Sequence, residues 1–254
     1  MGNVIDSAAH TTAPKWFAAK TTTTVSLVLP MFNEGPSVET TMRSALEQLD
    51  QRFEDYEIIV VDDASTDDCA EQVERWARND ARVKLARLPR NERFGGALRA
   101  GFGAAGKEFL AYTDFDLPVP LAELPRWLEE FADADVLTGY AATVVKHPNW
   151  HQTVISKGYN FLVRSLFGLR LRDINFGFKA VRRSVIDEVV LRSKSPFVDA
   201  ELFVRAQRSG FRVKEMAVPF SVRQLGTSHI RRLDVIAWTL FDMARLRVAL
   251  WFGR

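Results

Sequence analysis

The sequence predicts an α/β fold in which helices flank a mostly parallel central sheet, followed by a C-terminal amphipathic helix. Through the first half of the chain, short apolar runs alternate with segments of helical periodicity. That order is typical of parallel sheets with right-handed crossovers. Of the 254 residues, 47% are hydrophobic, which is enough for one large domain with its own core.

The elements are predicted in the following order. Residues 1–24 are polar and rich in threonine, and we interpret them as a flexible tail. Strands are then predicted over residues 25–30, 56–63, 83–88, 109–114, 136–139 and 213–219. Between the early strands, helices are predicted over residues 37–51 and 64–79 and from about residue 97. Because parallel strands end at the same edge, the loops that follow them would lie together.

Charge and cysteine content exclude several classes of protein. The formal net charge is only +2, so the composition gives no argument for nucleic-acid binding. A single cysteine, Cys69, excludes an internal disulfide and a site built from several cysteines, and it suits a reducing compartment. We also find no secretory signal pattern at the N-terminus. These features favour a cytoplasmic location.

Two carboxylates follow the fourth predicted strand. Asp114 and Asp116 come at its carboxyl end, and Pro118 and Pro120 prevent the strand from continuing. Ligands of open α/β sheets bind at that edge, and carboxylate oxygens suit a divalent cation whose shell a phosphate could complete. The alternative is a solvated turn in which these acids cap the next segment.

A glycine pattern nearby resembles a dinucleotide-binding fingerprint. Gly101, Gly103 and Gly106 have the required spacing, but the fingerprint needs a strand before it and a helix after it. Here the predicted order is reversed. We therefore interpret these glycines as residues that let the helix end and pack close to the sheet.

Four segments together resemble family 2 glycosyltransferases of the GT-A fold. They are residues 30–34, 61–67, 91–98 and 113–116, and the resemblance extends over residues 25–228. It is strongest to the branch that includes dolichol-phosphate mannose synthase and bacterial polyprenyl-phosphate glycosyltransferases. The resemblance implies an inverting enzyme that uses Mg²⁺ or Mn²⁺ and a UDP- or GDP-linked sugar, with a polyprenyl phosphate as acceptor at the cytoplasmic membrane face.

The resemblance also implies roles for particular side chains. Asp114 and Asp116 would hold the metal, and Asp116 would be catalytic. The nucleotide-sugar would contact Pro30, Phe32, Asn33, Glu34, Asp62, Asp63, Arg93 and Asp114. Alternatively, Asp62 and Asp63 cap a helix that begins around Ser65, and Glu34 is a favourable charge at a helix N-terminus. Two departures affect the choice of metal, since Pro118 stands where many relatives have Gln, and Phe94 stands where a Lys is common.

The second half is expected to bind the acceptor. Residues 173–179 resemble the Asp-x-x-x-Gly-Phe-Lys pattern of the same branch, in which Gly177 would let the backbone approach the sugar and Lys179 would meet a phosphate. The alternative for Lys179 is an ordinary surface lysine. Arg223 and Ser228 match further acceptor positions, in a loop expected to close over substrate.

Asp199 and Glu201 are the remaining catalytic candidates, at the start of a helix predicted from residue 197. A hydroxyl acceptor would need a carboxylate to remove its proton, and Asp199 is our choice for that base. A lipid phosphate is already anionic and needs no strong base. Their spacing of two directs these side chains to different faces of a helix.

Two amphipathic segments carry basic residues and are predicted to lie on the membrane surface. In residues 141–172, apolar residues recur at helical spacing and interleave with Lys157, Arg164, Arg170 and Arg172; core packing is the alternative. Residues 231–254 form the second segment, separate from a catalytic domain over residues 25–230. On a helical wheel its charges Asp234, Asp242 and Arg245 lie together, which leaves an apolar arc with Ile236, Leu240, Met243 and Trp251. This helix could instead pack on the catalytic domain or on a partner.

Two further functions remain open at this point. Residues 141, 142, 151 and 152 are Ala, Ala, His and Gln, where relatives acting on polyprenyl phosphate commonly carry extra arginines. That difference favours a sugar or lipid hydroxyl as acceptor. A non-catalytic, membrane-attached nucleotide-sugar-binding protein is the third hypothesis.

Overall fold

The computed structural model describes residues 20–142, 150–218 and 233–252. The predicted tail therefore lies largely outside the described residues, as do Arg223, Ser228 and the loop expected to close over substrate. Where the tail is described, the prediction of flexibility is wrong at Thr21. This residue makes a β-bridge with Phe53, and its backbone N–H donates to the Arg52 carbonyl at 2.7 Å.

Strands and helices alternate along the chain. The strands in the described residues are β1 (Val25–Met31), β2 (Tyr56–Asp62), β3 (Val83–Arg87), β4 (Phe109–Thr113), β5 (Val136–Ala141), β6 (Phe178–Arg182) and β7 (Val213–Val218). The α-helices are α1 (Val38–Asp50), α2 (Cys69–Asn79), α3 (Arg93–Ala104), α4 (Leu124–Glu129), α5 (Trp150–Phe167), α6 (Arg183–Glu188), α7 (Val198–Arg208) and α8 (Leu233–Trp251). The alternation agrees with the predicted fold class.

The strands form one sheet in the order β3-β2-β1-β4-β6-β5-β7. All neighbouring pairs are parallel except those that β6 makes with β4 and β5. The predicted mostly parallel sheet is therefore confirmed, whereas β6 was not predicted. Its sequence carries Lys179 within an apolar run, so it lacks the continuous apolar pattern that identifies a strand covered on both faces.

Helices cover both faces of the sheet and create two cores. Along β1, Val25, Leu27 and Leu29 pack on the side of α1, α2 and α4, while Val28 packs on the side of α3, α5, α7 and α8. This alternation is the period of two that a strand imposes. Because both faces are buried, β1, β2 and β4 consist of nearly continuous apolar runs.

The start predicted for α3, at about residue 97, is wrong. The helix begins at Arg93 and includes Gly95 and Gly96, which resemble turn residues in the sequence. A distant contact explains the Gly95 position: its N–H donates to the Lys194 carbonyl at 2.9 Å, and an added Cβ would clash with the Ser193 carbonyl oxygen. The glycine therefore permits a close crossing of two segments rather than a turn.

The glycine pattern at residues 101–106 has the packing role predicted for it. Gly101 lies in α3 directly over the sheet, where an added Cβ would clash with Val28 and lie 3.0 Å from Val61 Cγ2. A Cβ added to Gly103 would have no heavy atom within 4 Å. The segment follows a helix and precedes β4, an order that excludes the dinucleotide-binding fingerprint.

In the described parts of the chain, no helix combines the length and apolar character needed to cross a bilayer.

We predict that Gly101→Ala and Gly103→Ala have opposite effects on stability. Gly101→Ala should lower the free energy of unfolding by about 1 to 3 kcal/mol, because the methyl group overpacks the contact with Val28. Gly103→Ala should raise it by up to about 1 kcal/mol, since it only improves helix propensity. Urea unfolding of both variants tests this, and equal effects would contradict the close packing of α3 on the sheet.

Candidate functional site

The predicted donor-side residues come from loops at one edge of the sheet. Met31, at the end of β1, is in register with Asp62, at the end of β2. The next residue, Asp63, donates its N–H to the Met31 carbonyl at 2.9 Å. Tyr112 of β4 is in register with Val28 of β1, so Asp114 follows at the level of Pro30. The parallel strands thus deliver Asp62, Asp63 and Asp114 to a common edge.

Asn33 ties the loop after β1 to the loop after β2. Its N–H donates to Ser65 Oγ at 2.9 Å, and its Oδ1 accepts the N–H of Thr66 at 2.8 Å. Its φ of 56° is in the left-handed region, which asparagine tolerates better than most residues. Asn33 therefore fixes the shape of the predicted nucleotide loop.

The other predicted residues of this loop lie beside Asn33. Pro30, Phe32 and Glu34 are partly exposed. Glu34 directly precedes a short 3₁₀ turn at Gly35–Ser37, and its Oε2 accepts a hydrogen bond from Ser37 Oγ at 3.0 Å. This contact fits the alternative in which Glu34 is a charge at the start of a helical segment. Nucleotide binding by Glu34 stays a prediction.

Asp62 has one carboxylate oxygen in a turn and a second beside Arg87. Oδ1 accepts the N–H of Ser65 at 2.9 Å, which closes a turn in the loop before α2. Because α2 begins at Cys69, this bond does not cap the helix, as the alternative had predicted. Oδ2 is buried without a hydrogen-bond partner among the described residues, and Arg87 Nε lies 3.5 Å away. A buried oxygen of this kind at a sheet edge suits a hydrogen-bond donor from a ligand.

Asp63 is 5% exposed and is held by the segment that begins α3. Its Oδ1 accepts the N–H of Glu92 at 2.6 Å, and its carbonyl accepts Asn91 Nδ2 at 3.2 Å. Burial raises the pKa of Asp63 to about 6, while hydrogen bonds from the Glu92 and Arg93 backbone oppose the rise. Asn91 and Glu92 were not predicted as site residues individually, because their role depends on this contact.

The side chain of Arg93, a predicted nucleotide contact, points to the C-terminal helix. Its Nη1 lies 3.3 Å from Asp234 Oδ2, and its guanidinium lies over the Trp238 ring at 4.9 Å from the centroid. Its φ of 65° places the backbone in the left-handed region at the start of α3. The pair anchors α8 beside the predicted nucleotide loop.

Asp114 and Asp116 lie in the turn after β4. Asp114 is exposed and Asp116 partly exposed, and the turn closes through a 3.1 Å hydrogen bond from the Leu117 N–H to the Asp114 carbonyl. Gly177 lies against this turn, where an added Cβ would be 2.8 Å from Asp114 Oδ2. The close approach predicted for Gly177 is thus made to the Asp114 carboxylate.

Within the described residues, no group of three or more acidic, histidine or cysteine side chains could hold a metal ion. A cation at Asp114 and Asp116 would need ligands beyond these two side chains, and a phosphate could supply them. Hard carboxylate oxygens fit Mg²⁺ or Mn²⁺ in such a shared shell.

Lys179 and Asp199 form a buried ion pair behind the turn that carries Asp114. Asp199 Oδ2 pairs with Lys179 Nζ, and its Oδ1 accepts the Tyr112 hydroxyl at 2.8 Å. Lys179 is 1% exposed, so the alternative of a surface lysine is wrong. Acceptor binding by Lys179 does not fit this placement either, because its ammonium is buried and already paired. Burial raises the pKa of Asp199, and the Lys179 charge opposes the rise.

Glu201 lies in a different environment from Asp199, as their spacing predicted. Its Oε2 accepts the N–H groups of Arg192 and Ser193 at 2.9 and 2.7 Å. Its Oε1 accepts Arg205 Nε at 2.9 Å. These contacts favour a structural role, in which Glu201 holds the segment before α7 rather than facing a substrate.

Comparison with known proteins identifies related sequences. The profile of the family described as "Glycosyl transferase family 2" matches residues 26–190. The glycosyltransferase AglD of Haloferax volcanii is 34% identical over 203 residues, which cover 76% of this chain and 32% of the relative. The undecaprenyl-phosphate mannosyltransferase of Micrococcus luteus is 30% identical over 213 residues, which cover 80% of this chain and 86% of the relative.

Another similar sequence is the undecaprenyl-phosphate 4-deoxy-4-formamido-L-arabinose transferase of Proteus mirabilis, which is 29% identical over 84% of this chain. The chain spans 64% of the length of that relative, and about a third of AglD. Among solved structures, glucosyl-3-phosphoglycerate synthase of Mycobacterium tuberculosis, in complex with Mn²⁺, UDP and glucosyl-3-phosphoglycerate, aligns with a TM-score of 0.63 at 19% identity. The alignment covers 87% of this chain and 80% of that one, and it agrees with the GT-A fold.

We predict that Asp63→Asn stabilises the protein at neutral pH. The folded state keeps a proton on Asp63 up to about pH 6, whereas the unfolded state loses it near 3.8. The free energy of unfolding therefore falls as the pH rises through this window. Asparagine retains an acceptor for Glu92 without the buried charge, so it should add roughly 1 to 3 kcal/mol at pH 7 and lose that advantage below about pH 4.

Urea unfolding of both proteins from pH 4 to pH 7.5 measures this difference. Asp187→Asn, which alters an exposed residue of α6, is the control and should change stability little at any pH. A stability difference for Asp63→Asn that does not vary with pH would contradict the prediction.

Proposed function

The chain belongs to glycosyl transferase family 2, and on that premise we propose that it transfers a sugar from a nucleotide-diphosphate donor to a polyprenyl phosphate. The main support for donor binding is that Asp62, Asp63 and Asp114 lie at one edge of the sheet. The acceptor class is supported by relatives named for undecaprenyl phosphate.

The donor would lie across this edge. Asp62 Oδ2, buried without a hydrogen-bond partner in the described structure, would accept an N–H of the base. Asp63 would accept a ribose hydroxyl, and the loop of Asn33 and Glu34 would form one wall. UDP and GDP are the candidate nucleotides, and UDP is the one bound by the structural relative.

Asp114 and Asp116 would hold Mg²⁺ or Mn²⁺ together with the diphosphate. The structural relative has been solved with Mn²⁺ and with Mg²⁺, in both cases with UDP. When bound, the cation would stabilise the charge that develops on the leaving diphosphate. Gly177 would contribute by leaving room for the Asp114 carboxylate. Pro118 offers no side-chain ligand, so water would take the place of the Gln that many relatives carry there.

In the transfer step, an oxygen of the acceptor phosphate would attack the anomeric carbon from the face opposite the diphosphate. The bond from that carbon to the diphosphate oxygen would break, and its electron pair would leave with the nucleotide. The sugar would change configuration once, which is the inverting outcome. Because the attacking oxygen is anionic, no protein group has to remove a proton.

The buried pair favours this acceptor over a hydroxyl. A hydroxyl acceptor would need Asp199 as a base, yet Asp199 is 3% exposed and bonded to Lys179 and Tyr112. A carboxylate with both oxygens engaged in the core is poorly placed to reach a substrate. We therefore assign Asp199 and Lys179 to supporting β4 and β6 beneath Asp114, and leave the cationic acceptor contacts to the predicted Arg223 and Ser228 region.

Attachment to the cytoplasmic surface of a membrane is the second part of the proposal. α5 and α8 expose large apolar side chains, namely Ile155, Phe161, Leu162, Leu166, Leu240, Phe241, Val248, Trp251 and Phe252. Exposed basic residues lie on the same helices at Lys157, Arg164, Arg245 and Arg247. Apolar side chains flanked by cations suit the interface of a bilayer with anionic lipids.

We predict metal-dependent transfer to undecaprenyl phosphate. The purified chain should transfer sugar from at least one UDP- or GDP-sugar when MnCl₂ or MgCl₂ is present, and EDTA should abolish transfer. Asp114→Asn and Asp116→Asn should each lower kcat by roughly 10²- to 10³-fold, since each removes a charged metal ligand. Asp187→Asn is the control.

Other outcomes of this experiment separate the alternatives. Transfer to a sugar or lipid hydroxyl but not to lipid phosphate, abolished by Asp199→Asn, would establish the hydroxyl acceptor. Binding of nucleotide without turnover of any donor would support the non-catalytic hypothesis.

We also predict that the exposed face of α8 binds lipid. The double variant Phe241→Glu/Trp251→Glu should lose most of its sedimentation with vesicles of phosphatidylglycerol and phosphatidylcholine, because acidic groups replace the inserted side chains. Thr40→Glu/Gln51→Glu adds the same charge at exposed positions of α1 and its C-terminus, on the opposite face of the sheet, and should bind normally. Equal loss in both variants would indicate a general charge effect, and no loss in either would contradict the proposal.

A further inference from the structure

A short segment before α7 crosses the start of α3. Residues 192–195, which we call the strap, contact the first turns of that helix at Gly95 and Arg99. The Gly95 N–H donates to the Lys194 carbonyl at 2.9 Å, and Arg99 Nη1 donates to the Ser193 carbonyl. Since α3 begins directly after the residues that hold Asp63, the conformation of the strap affects the edge of the proposed donor site.

The C-terminal helix fixes the strap through one buried carboxylate. Asp242 of α8 is 1% exposed, and its Oδ2 accepts the N–H groups of Lys194 and Ser195 at 2.9 and 3.0 Å. The same oxygen accepts Ser195 Oγ at 2.8 Å. Burying a carboxylate is unfavourable unless hydrogen bonds or an opposite charge compensate it. These three bonds serve Oδ2, and Arg245 Nη2 lies 3.3 Å from Oδ1.

One path leads from this contact to Asp63, and a second leads to the neighbouring Arg93 from elsewhere on α8. Lys194 Nζ pairs with the Glu92 carboxylate, while the Glu92 N–H donates to Asp63 Oδ1 at 2.6 Å. Independently, Asp234 and Trp238 of α8 hold the Arg93 side chain. Residues 92 and 93 are thus secured on one side by the strap and on the other by α8, and they orient the carboxylate of Asp63.

We infer that Asp242 is a positioning residue for nucleotide binding: by fixing the strap, it holds residues 92–93 and hence Asp63 in the orientation that receives the donor. This inference rests on the proposed function, because it assigns Asp63 to the donor. It goes beyond that function in making the C-terminal helix part of the donor site as well as a membrane contact. Asp242 itself touches no substrate.

Isothermal titration of the purified 254-residue chain with UDP and with GDP, in the presence of MnCl₂, tests the inference. Asp242→Ala should weaken binding of the preferred nucleotide by about tenfold or more, because the N–H groups of the strap lose their acceptor. Asp242→Asn keeps an acceptor oxygen and should stay within about threefold of the wild type. Asp187→Ala, on the exposed side of α6, is the matched control and should bind normally.

Steady-state kinetics distinguish a loss of positioning at the donor site from a general loss of stability. Asp242→Ala should raise KM for the donor sugar while kcat and KM for the acceptor stay close to the wild-type values. If this variant does not fold, Lys194→Met breaks the ion pair between the strap and Glu92 without altering a buried charge, and it should weaken nucleotide binding by at least about threefold.

The outcomes distinguish this inference from the proposed function. A wild-type chain that binds neither nucleotide would overturn the proposed function. If the wild type binds and a folded Asp242→Ala, or Lys194→Met where Asp242→Ala does not fold, binds equally well, only the positioning role fails. Equal weakening by Asp242→Ala and Asp242→Asn would overturn the account based on hydrogen bonds to the strap.

Discussion

Hydrogen bonds from backbone N–H groups to buried carboxylates hold the edge of the sheet together. Asp62 accepts from Ser65, Asp63 from Glu92, Glu201 from Arg192 and Ser193, and Asp242 from Lys194 and Ser195. The bond from Ser65 closes a local turn, and those to Glu201 hold the segment directly before α7. The bonds to Asp63 and Asp242 instead join segments that are distant in sequence and belong to no common regular element.

The buried pair of Lys179 and Asp199 lies where the sheet changes direction next to β4. Lys179 lies in β6, in register with Tyr112 of β4 and Thr138 of β5, and only β6 runs antiparallel to its neighbours. Removing one charge would leave the other uncompensated in the core, which typically costs 3 to 5 kcal/mol. The pair therefore joins α7 to the strands beneath the Asp114 turn. Asp199 is then unavailable as a base, which is compatible with the proposed anionic acceptor because that acceptor carries no proton to remove.

Local patterns determined how much of this could be predicted from the sequence. Strands buried on both faces were recognisable as apolar runs, and the acids that follow them indicated the edge where a donor would bind. β6 could not be recognised from its sequence because it contains Lys179. A buried lysine in a strand is expected only when its partner, here Asp199 of α7, is known. Gly95 was interpreted as a turn residue because the strap, whose close crossing requires a glycine there, is about a hundred residues away in sequence. The structural role of Glu201 likewise depends on contacts that no periodicity encodes.

The orientation of α8 follows from the same hydrogen bonds. The predicted apolar arc does not form one buried face: Met243 is buried, whereas Leu240 and Trp251 are exposed. Hydrophobic burial alone would favour turning the large aromatic side chains toward the domain. Asp242 instead points inward to the strap, so Phe241 beside it and Val248 are directed outward. The bonds that secure the strap near Asp63 therefore also direct this apolar face outward, so the proposed donor site and the proposed lipid contact both depend on the orientation of α8.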